Sequence, residues 1–269
     1  MARQNTADTS TYNLARPRPT FPITERDESG VNVSQVIDIA DIHLPYGLKI
    51  SSCTEAGMVA LTFDDGPYEW TRAVAESMDE AGFKATFFFV GKLYKRQLGW
   101  TRRMDDERTQ YPELLRSLHK RGHQLASHTW THEDLEELKR GDRLQQMRDN
   151  AQAFRNVLGV VPTYMRPPKG HCGTTCLEDM KTLKYHTILW DINPEDWKYN
   201  SEDTWNETTK RFDRDLSAGG SIAVCHDVEM YTAQKLVPHM ISELEKRGLK
   251  GVTVGECLAD SKENWYRFE

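Results

Sequence analysis

The 269-residue sequence lacks any apolar run that approaches the ~20 residues of a membrane-spanning helix, and no secretory signal is visible at its N-terminus. It also lacks an excess of positive charge, since its net charge is −6. We therefore expect neither nucleic acid nor a membrane as a partner. Hydrophobic residues make up 38% and charged residues 28%, which suits a soluble globular protein of one large domain or two small ones.

Cysteine is scarce, and the count of five is odd, so at least one thiol is left without a partner. Cys172 and Cys176 are close enough for a small disulfide loop, although a metal-binding pair is also compatible with their spacing. Cys225 lies in an apolar run, which indicates a buried free thiol.

The first 35 or so residues are rich in Thr, Arg, Pro, Asp and Ser and show little apolar periodicity. We interpret residues 1–50 as an N-terminal arm and residues 51–269 as the folded domain. From Met58 onward, strand and helix patterns alternate. The heavily charged segment 94–111 is predicted to be a long loop near the site, and 134–138 a short helix.

Two adjacent carboxylates, Asp64 and Asp65, end a short apolar strand that begins at Met58. Gly66 and Pro67 then break the strand. Successive strand side chains point to opposite faces, so the two carboxylates can serve one site only if the break re-aims one of them. A polar turn that caps the strand is the alternative interpretation.

His128 and His132 are four residues apart, which on a helical turn would place both rings on one face. Neutral imidazoles suit zinc or a similar divalent ion, and an upstream aspartate completes a set of three protein ligands. Three ligands leave one position open, as in catalytic sites, and a second carboxylate nearby would act as a base. These candidates follow predicted strands, where repeated βα units place their active sites.

Five short segments occur in the order typical of one family, and the chain resembles the carbohydrate esterase family 4 polysaccharide deacetylases over residues 53–258. The first two segments are the specific ones. Within the family, the cysteine positions are similar to those of fungal chitin deacetylases. The segments are Thr-Phe-Asp-Asp-Gly-Pro at 62–67, His-Thr-Trp-Thr-His at 128–132, Arg-Pro-Pro at 166–168, Asp-Trp at 196–197 and Val-Cys-His-Asp at 224–227.

The resemblance implies an α/β fold, a distorted (β/α) barrel of about seven units with the active site at the C-terminal ends of the strands. It also implies one divalent metal ion, usually Zn²⁺, with Co²⁺ or another divalent ion as the alternative. Asp65, His128 and His132 would be the metal ligands. Asp64 would be the base that takes a proton from the attacking water, and Arg166 would hold Asp64.

The remaining roles also follow from the resemblance. His226 would be the acid that protonates the leaving amine. The backbone N–H of Lys169 would help to hold the oxyanion, and Trp197 and Leu258 would line the pocket for the acetyl methyl group.

The chain departs from the family pattern at two positions. Asn193 stands where an aspartate usually opens the fourth segment, so the carboxylate partner of His226 is left open between Asp191 and Asp196. Lys169 stands where an aromatic residue is common, a change that affects the subsite more than the mechanism.

The cysteine pattern of the resembling proteins suggests two bridges, Cys172–Cys176 and Cys53–Cys257, with Cys225 free. Cys53 opens the predicted barrel and Cys257 follows its last strand. Such bridges imply an oxidising compartment, so we expect an extracellular or cell-wall protein, and a monomer.

Three functions fit this sequence. The first is a metal-dependent deacetylase of chitin or chitooligosaccharides. The second is an O-acetyl esterase acting on acetylated xylan or another glycan. The third is a catalytically silent carbohydrate-binding relative, which the complete set of site residues argues against.

Overall fold

The structure, a computed structural model, describes residues 25–26, 32–33, 44–95 and 100–268. Most of the predicted arm, residues 1–50, lies outside the described residues. Residues 1–40 form one unit, in which strands β1 (Glu25–Arg26) and β2 (Asn32–Val33) pair in antiparallel fashion. Residues 41–269 form a second unit, which contains every candidate site residue. The boundary after residue 50 stays a prediction.

The second unit is built on β-strands of two to seven residues. They are β3 (Lys49–Ile50), β4 (Met58–Asp64), β5 (Thr86–Phe89), β6 (Lys92–Lys95), β7 (Trp100–Arg103), β8 (Gln124–Ser127), β9 (Val161–Pro162), β10 (Tyr164–Met165), β11 (His186–Ile188), β12 (Ile222–His226), β13 (Lys250–Val252) and β14 (Tyr266–Arg267).

Helices lie between most of these strands. They are α1 (Thr71–Glu80), α2 (Tyr111–Lys120), α3 (Arg140–Leu158), α4 (Thr174–Thr182), α5 (Asn206–Ser217), α6 (Val237–Lys246) and α7 (Val254–Cys257), with a π-helical turn over Thr232–Leu236. No helix in the described ranges combines the length and apolar character needed to cross a membrane.

The main sheet is parallel and curls on itself. Its strand order is β12-β4-β5-β8-β10-β11-β3, and β13 pairs with the first half of β4. Beyond β11, Ile192 bridges Ala223 of β12, which brings the two ends of the sheet together. The predicted α/β fold, a distorted barrel built on seven strands, is confirmed.

Side chains alternate across β4 and separate two apolar clusters. Leu61 and Phe63 pack in the larger cluster, which lies under the outer helices. Ala60 belongs to a second cluster inside the curl of the sheet. Because strand side chains alternate, Thr62 and Asp64 share the inner face with Ala60. The pattern therefore places Asp64 at the C-terminal end of β4, with its side chain on the inner face of the sheet.

The sequence predicts one long loop over residues 94–111, and this prediction is wrong. Strands β6 and β7 form an antiparallel hairpin, and a short irregular stretch leads into α2 at Tyr111. Arg102 is buried while its neighbours Thr101 and Arg103 are exposed. The sequence did not reveal this strand because its inward-facing residue is an arginine, so apolar and polar residues do not alternate.

Residues 134–138 form turns and no helix, which also differs from the prediction. The carboxylate of Asp134 accepts a hydrogen bond from the backbone N–H of Glu136 at 3.1 Å. It also accepts one from Nδ1 of His171 at 2.8 Å. Such side-chain bonds to the backbone compete with helix formation.

The predicted cysteine pairing is confirmed. Cys53 is bonded to Cys257 and Cys172 to Cys176, while Cys225 is a buried free thiol.

Candidate active site and metal centre

The strand break re-aims one of the two adjacent carboxylates. Asp64 is the last residue of β4 and is buried, with its side chain on the inner face of the sheet. Asp65 has a φ of 74°, the left-handed conformation, which turns its side chain away from the strand alternation. Both carboxylates therefore reach the same end of the barrel, which is the condition for the two to serve one site.

The two histidines do not lie on a helical turn, so that part of our interpretation is wrong. His128 directly follows β8, and the chain then forms a loop with left-handed residues at Thr129 (φ 69°) and His132 (φ 59°). This loop brings the two ring centroids to 4.9 Å from each other. Nε2 of His132 lies 3.3 Å from Oδ1 of Asp65.

Asp65, His128 and His132 form a group that fits a metal ion. Their possible ligand atoms all lie within 4.8 Å of one another. Oδ1 of Asp65 is buried without a hydrogen-bond partner in the described structure, so it is free to bind a cation. Nδ1 of His128 lies 2.7 Å from the carbonyl oxygen of Arg166. A ring N–H must donate there, which leaves the lone pair of Nε2 toward Asp65.

The protonation states also suit metal binding. Burial alone would raise the pKa of Asp65, but the positive charges of His132, His226, His128 and Arg102 outweigh it, and its pKa is lowered. Burial lowers the pKa of His128. An ionised carboxylate and a neutral imidazole are the forms that ligate a metal ion.

Arg166 fixes Asp64 in the interior. Its guanidinium is fully buried, and Nη1 donates to Oδ1 of Asp64 at 2.8 Å and to the hydroxyl of Thr62 at 2.6 Å. The rings of Phe88 and Trp190 lie 4.2 and 5.5 Å from the guanidinium carbon. The other carboxylate oxygen of Asp64, Oδ2, lies 3.7 Å from Nε2 of His128. One oxygen is thus held by arginine while the other faces the metal ligands.

Asp196 is the carboxylate that holds His226. Oδ1 of Asp196 lies 2.8 Å from Nδ1 of the ring, and Oδ2 accepts from the backbone N–H of His226 at 2.6 Å. Burial by itself would lower the pKa of His226, but Asp196, with smaller contributions from Asp65 and Asp64, raises it to about 10. The ring is therefore protonated at neutral pH.

Asp191, the other candidate partner of His226, and Asn193 both bond to other groups. The carboxylate of Asp191 accepts from the backbone N–H groups of Ser221 and Ile222, both at 2.7 Å. The side-chain oxygen of Asn193 accepts from the N–H of Glu195 at 3.1 Å. Of the two alternatives that the sequence left open, the structure selects Asp196.

The three substrate-binding candidates differ in exposure. Lys169 has a φ of 59°, and its ammonium lies 3.3 Å from Oδ2 of Asp134. Trp197 is 59% exposed, whereas Leu258 is buried in the inner cluster that contains Phe88. Their roles in holding an oxyanion or an acetyl group stay predictions.

Sequence reasoning missed two residues that support the site. Nη2 of Arg102 donates to the backbone carbonyl oxygen of Asp65 at 2.7 Å. Asp227 is fully buried and accepts from the hydroxyl of Thr71, and burial raises its pKa to about 7. Asp227 was visible as the neighbour of His226 at a strand end, whereas nothing in the charged segment marked Arg102.

Comparison with known proteins places these residues in a family. Residues 51–188 match the family model described as polysaccharide deacetylase. The chain is 35% identical to a chitin deacetylase of Colletotrichum lindemuthianum over 233 residues, which are 85% of this chain and 90% of that protein. It is 36% identical to a chitin deacetylase of Arthroderma benhamiae over 83% of this chain. That alignment covers 58% of the relative, so this chain spans little more than half of its length.

The fold comparison agrees with the sequence comparison. The solved structure of the chitin deacetylase from the fungal pathogen Colletotrichum lindemuthianum superposes with a TM-score of 0.77 at 35% identity. The match covers 84% of this chain and 98% of that structure. The ligand triad and the curled parallel sheet thus occur together in a chain that is similar to fungal deacetylases.

Proposed function

Because the chain belongs to the polysaccharide deacetylases of carbohydrate esterase family 4, we propose that it hydrolyses N-acetyl groups on N-acetylglucosamine units of chitin or chitooligosaccharides and releases acetate. One observation carries the proposal. The carboxylate of Asp64, held by Arg166 at 2.8 Å, lies beside the triad Asp65, His128 and His132. A base and a cation site next to each other are what amide hydrolysis requires.

We propose Zn²⁺ as the ion, with Co²⁺ as the alternative, bound by Asp65, His128 and His132. Two imidazole nitrogens and one carboxylate oxygen are ligands typical of catalytic zinc. When bound, such an ion acts as a Lewis acid on the amide carbonyl and lowers the pKa of water. The neutral imidazole of His128 and the ionised carboxylate of Asp65 already have the charge states that this ligation needs.

Asp64 is the base of the proposed reaction. Its oxygen Oδ1 is held by Arg166, so Oδ2 is the atom available to accept a proton from the attacking water. The buried guanidinium fixes the direction of the carboxylate through a charge-assisted hydrogen bond. The backbone N–H of Lys169 stabilises the developing oxyanion.

His226 is the acid of the proposed reaction. Asp196 holds Nδ1, so the proton on Nε2 is the one that passes to the leaving nitrogen. The pKa of about 10 keeps that proton in place at neutral pH until the amine departs. Trp197 and Leu258 line the proposed pocket for the acetyl methyl group.

Acetate release tests the proposal and the esterase alternative together. We expect acetate from N-acetylglucosamine oligomers, little from acetylated xylan, and none from either after treatment with a chelator and buffer exchange. Addition of Zn²⁺ should restore the activity. Release from acetylated xylan alone would replace the proposal with O-acetyl esterase activity, and no release from any acetylated glycan would support the silent relative.

We also propose that the protein works outside the cell or in the cell wall, and as a monomer. Two disulfides support an oxidising compartment. Size-exclusion chromatography with light scattering checks the oligomeric state, because a monomer should give the 31.0 kDa of a single chain.

A further inference from the structure

One carboxylate joins the loop that carries a candidate metal ligand to a separate turn of the chain. Asp134 lies two residues after His132, and its side chain is only 9% exposed. Its oxygen Oδ1 accepts from the backbone N–H of Glu136, in the same loop, at 3.1 Å. Its other oxygen, Oδ2, lies 2.8 Å from Nδ1 of His171 and 3.3 Å from Nζ of Lys169. One oxygen therefore serves the histidine loop, and the other reaches across to the turn.

That turn, Pro168–Gly170, holds Lys169 in a conformation that needs support. Lys169 has a φ of 59° and Gly170 a φ of 74°, so two consecutive residues are left-handed, which is unfavourable for a residue with a side chain. Lys169 is the second residue of this 3₁₀ turn, so its backbone N–H has no partner inside the turn. This is the N–H that we propose as the oxyanion donor. Its direction depends on whether the turn keeps its shape.

The turn is fixed on one side by the backbone and on the other by carboxylates. The guanidinium of Arg166 is fully buried, and two prolines follow it and restrict the chain up to Lys169. Beyond Lys169, the carboxylate of Asp134 is joined by that of Glu136, which accepts from the backbone N–H of Gly173. A Cβ atom at Gly173 would lie 2.7 Å from Oε1 of Glu136, so the two segments are in close contact.

The contacts of Asp134 to this turn are suited to positioning more than to global stability. The side chains of Lys169 and His171 are both more than half exposed, and ion pairs with such partners contribute little to folding. A displacement of about 1 Å in a group that acts on the transition state, in contrast, can lower the rate about 10²-fold. A structural role and a positioning role for Asp134 therefore predict different results.

We propose that Asp134 is a positioning residue for the deacetylation, which holds the turn so that the backbone N–H of Lys169 keeps its place relative to the metal ligand His132. The inference rests on the proposed function, in which this N–H stabilises the oxyanion. Asp134 itself does not touch the reacting amide. Because the oxyanion develops in the transition state, loss of Asp134 lowers kcat and leaves KM nearly unchanged.

Asp134→Asn tests this role with little disturbance of the histidine loop. The amide oxygen still accepts from Glu136, whereas the NH₂ group takes the place of Oδ2 and cannot accept from the ammonium of Lys169. With N-acetylglucosamine hexamer, kcat should fall about tenfold while KM changes by less than about twofold. Hydrogen exchange without substrate should be faster at residues 168–173, and the metal content should equal that of the wild type.

Lys169→Met breaks the same contact from the other side. It removes the ammonium but keeps the length of the side chain and the backbone N–H, so kcat should fall by a similar factor. In the double variant the loss should be well below the product of the two single losses, because both changes remove one interaction. Thermal unfolding confirms that each variant is folded.

Glu207→Gln is the matched control. It makes the same change from carboxylate to amide in an exposed ion pair with lysine, that of Glu207 and Lys210 on α5. It should leave kcat and the hydrogen exchange at residues 168–173 unchanged. An equal effect in this variant would show that the loss in Asp134→Asn reflects surface charge in general, which overturns the role.

The other outcomes separate this role from the proposed function. Wild-type kcat in Asp134→Asn and Lys169→Met, or a double variant whose loss equals the product of the single losses, overturns the positioning role while the proposed function stands. Metal loss in Asp134→Asn, or a raised KM with unchanged kcat, overturns it as well, because the residue then acts through His132 or on substrate binding. If the wild type releases no acetate from any acetylated glycan, the proposed function fails and this role fails with it.

Discussion

Two neighbouring aspartates point in different directions because the backbone separates them. Asp64 keeps the strand conformation and points inward to Arg166, whereas Asp65 has a φ of 74° and turns toward the histidines. A left-handed conformation at a residue other than glycine costs of order 1–3 kcal/mol and is retained where the site depends on it. The sequence predicted the shared site but not the individual directions, because only the φ of Asp65 decides them.

Replacing Asp64, the proposed base, should abolish turnover without lowering the metal content. In Asp64→Asn the amide oxygen still accepts from Arg166, but the side chain cannot take a proton, so kcat should fall about 10²- to 10⁴-fold. Elemental analysis should still show about one metal equivalent, the load of a single three-ligand site. Asp65→Asn is the matched variant and should lose the metal. If Asp64→Asn is the variant that arrives metal-free, the two roles are exchanged.

The alkaline limit of activity should depend on Asp196. Its carboxylate raises the pKa of His226 to about 10, so the acid form persists far into the alkaline range. Asp196→Asn removes that charge and lowers the pKa, and the alkaline limb of kcat/KM should move down by about one pH unit or more. The acidic limb should stay in place, because the substitution changes no group on that side of the site.

Asn193→Asp is the control for that experiment. The Asn193 side chain accepts from the backbone N–H of Glu195, while Nδ1 of His226 is already held by Asp196, so the added carboxylate should leave the alkaline limb where it was. An upward shift in Asn193→Asp, with none in Asp196→Asn, would reassign the partner of His226. Near-normal amide hydrolysis by His226→Ala would remove the acid assignment altogether.

At the scale of elements, the regular strands and helices were predictable and the site loops were not. Apolar periodicity located the start of β4 at Met58 and predicted the alternation of strands and helices that follows it. The loop at 128–132 was mistaken for a helical turn. Two residues in the left-handed conformation also bring histidines four residues apart close together, and because neither of them is a glycine, the sequence does not indicate that conformation. The hairpin of β6 and β7 was missed because its inward position holds Arg102, whose partner is a distant backbone carbonyl.

The loop that carries the histidines should depend on Asn150 of α3. This residue is fully buried, and its amide donates to the carbonyl oxygens of Phe89 and Thr129 while accepting from the hydroxyl of Ser127. Asn150→Ala leaves those groups unsatisfied and should lower the free energy of unfolding by about 2–4 kcal/mol. Since Thr129 lies between the histidines, metal affinity should fall as well.

Asn156→Ala is the matched control on the same helix. Asn156 is exposed, and its amide donates to the carboxylate of Asp105, which keeps its two bonds from Arg103, so the free energy of unfolding should fall by about 1 kcal/mol or less. Urea denaturation and competition with a zinc-binding dye measure the two quantities. Equal stability losses in both variants, or full metal affinity in Asn150→Ala, would show that the loop is held by other contacts.

At the scale of the whole molecule, parallel topology explains why short segments far apart in sequence form one site. The segments that begin at residues 62, 128, 166 and 224 lie at or just beyond the ends of β4, β8, β10 and β12. Parallel strands in one sheet bring all of these ends to the same edge. The order of the segments predicted this convergence, whereas the bridge from Ile192 to Ala223 depends on the three-dimensional curl of the sheet and had no signal in the sequence.

The disulfide between Cys53 and Cys257 should contribute much more to stability than the one between Cys172 and Cys176. The first joins residues 204 apart and the second residues 4 apart. A cross-link restricts the unfolded chain in proportion to the logarithm of the loop length. Loss of the long bridge should therefore cost roughly 5 kcal/mol, and loss of the short one about 2 kcal/mol.

Alanine pairs make this comparison, because Cys257 is fully buried and serine would add an unsatisfied hydroxyl there. Cys53→Ala with Cys257→Ala should lower the urea midpoint more than Cys172→Ala with Cys176→Ala. Backbone bonds from Thr54 and Glu55 to the carbonyl oxygen of Cys257, both 3.0 Å, remain in the first variant and should keep the native fold in place. The bridge therefore acts chiefly on the unfolded chain, so the metal content of the folded variant should be unchanged. Equal midpoints in the two variants, or metal loss only in the first, would mean that the bridge acts by positioning the barrel ends instead.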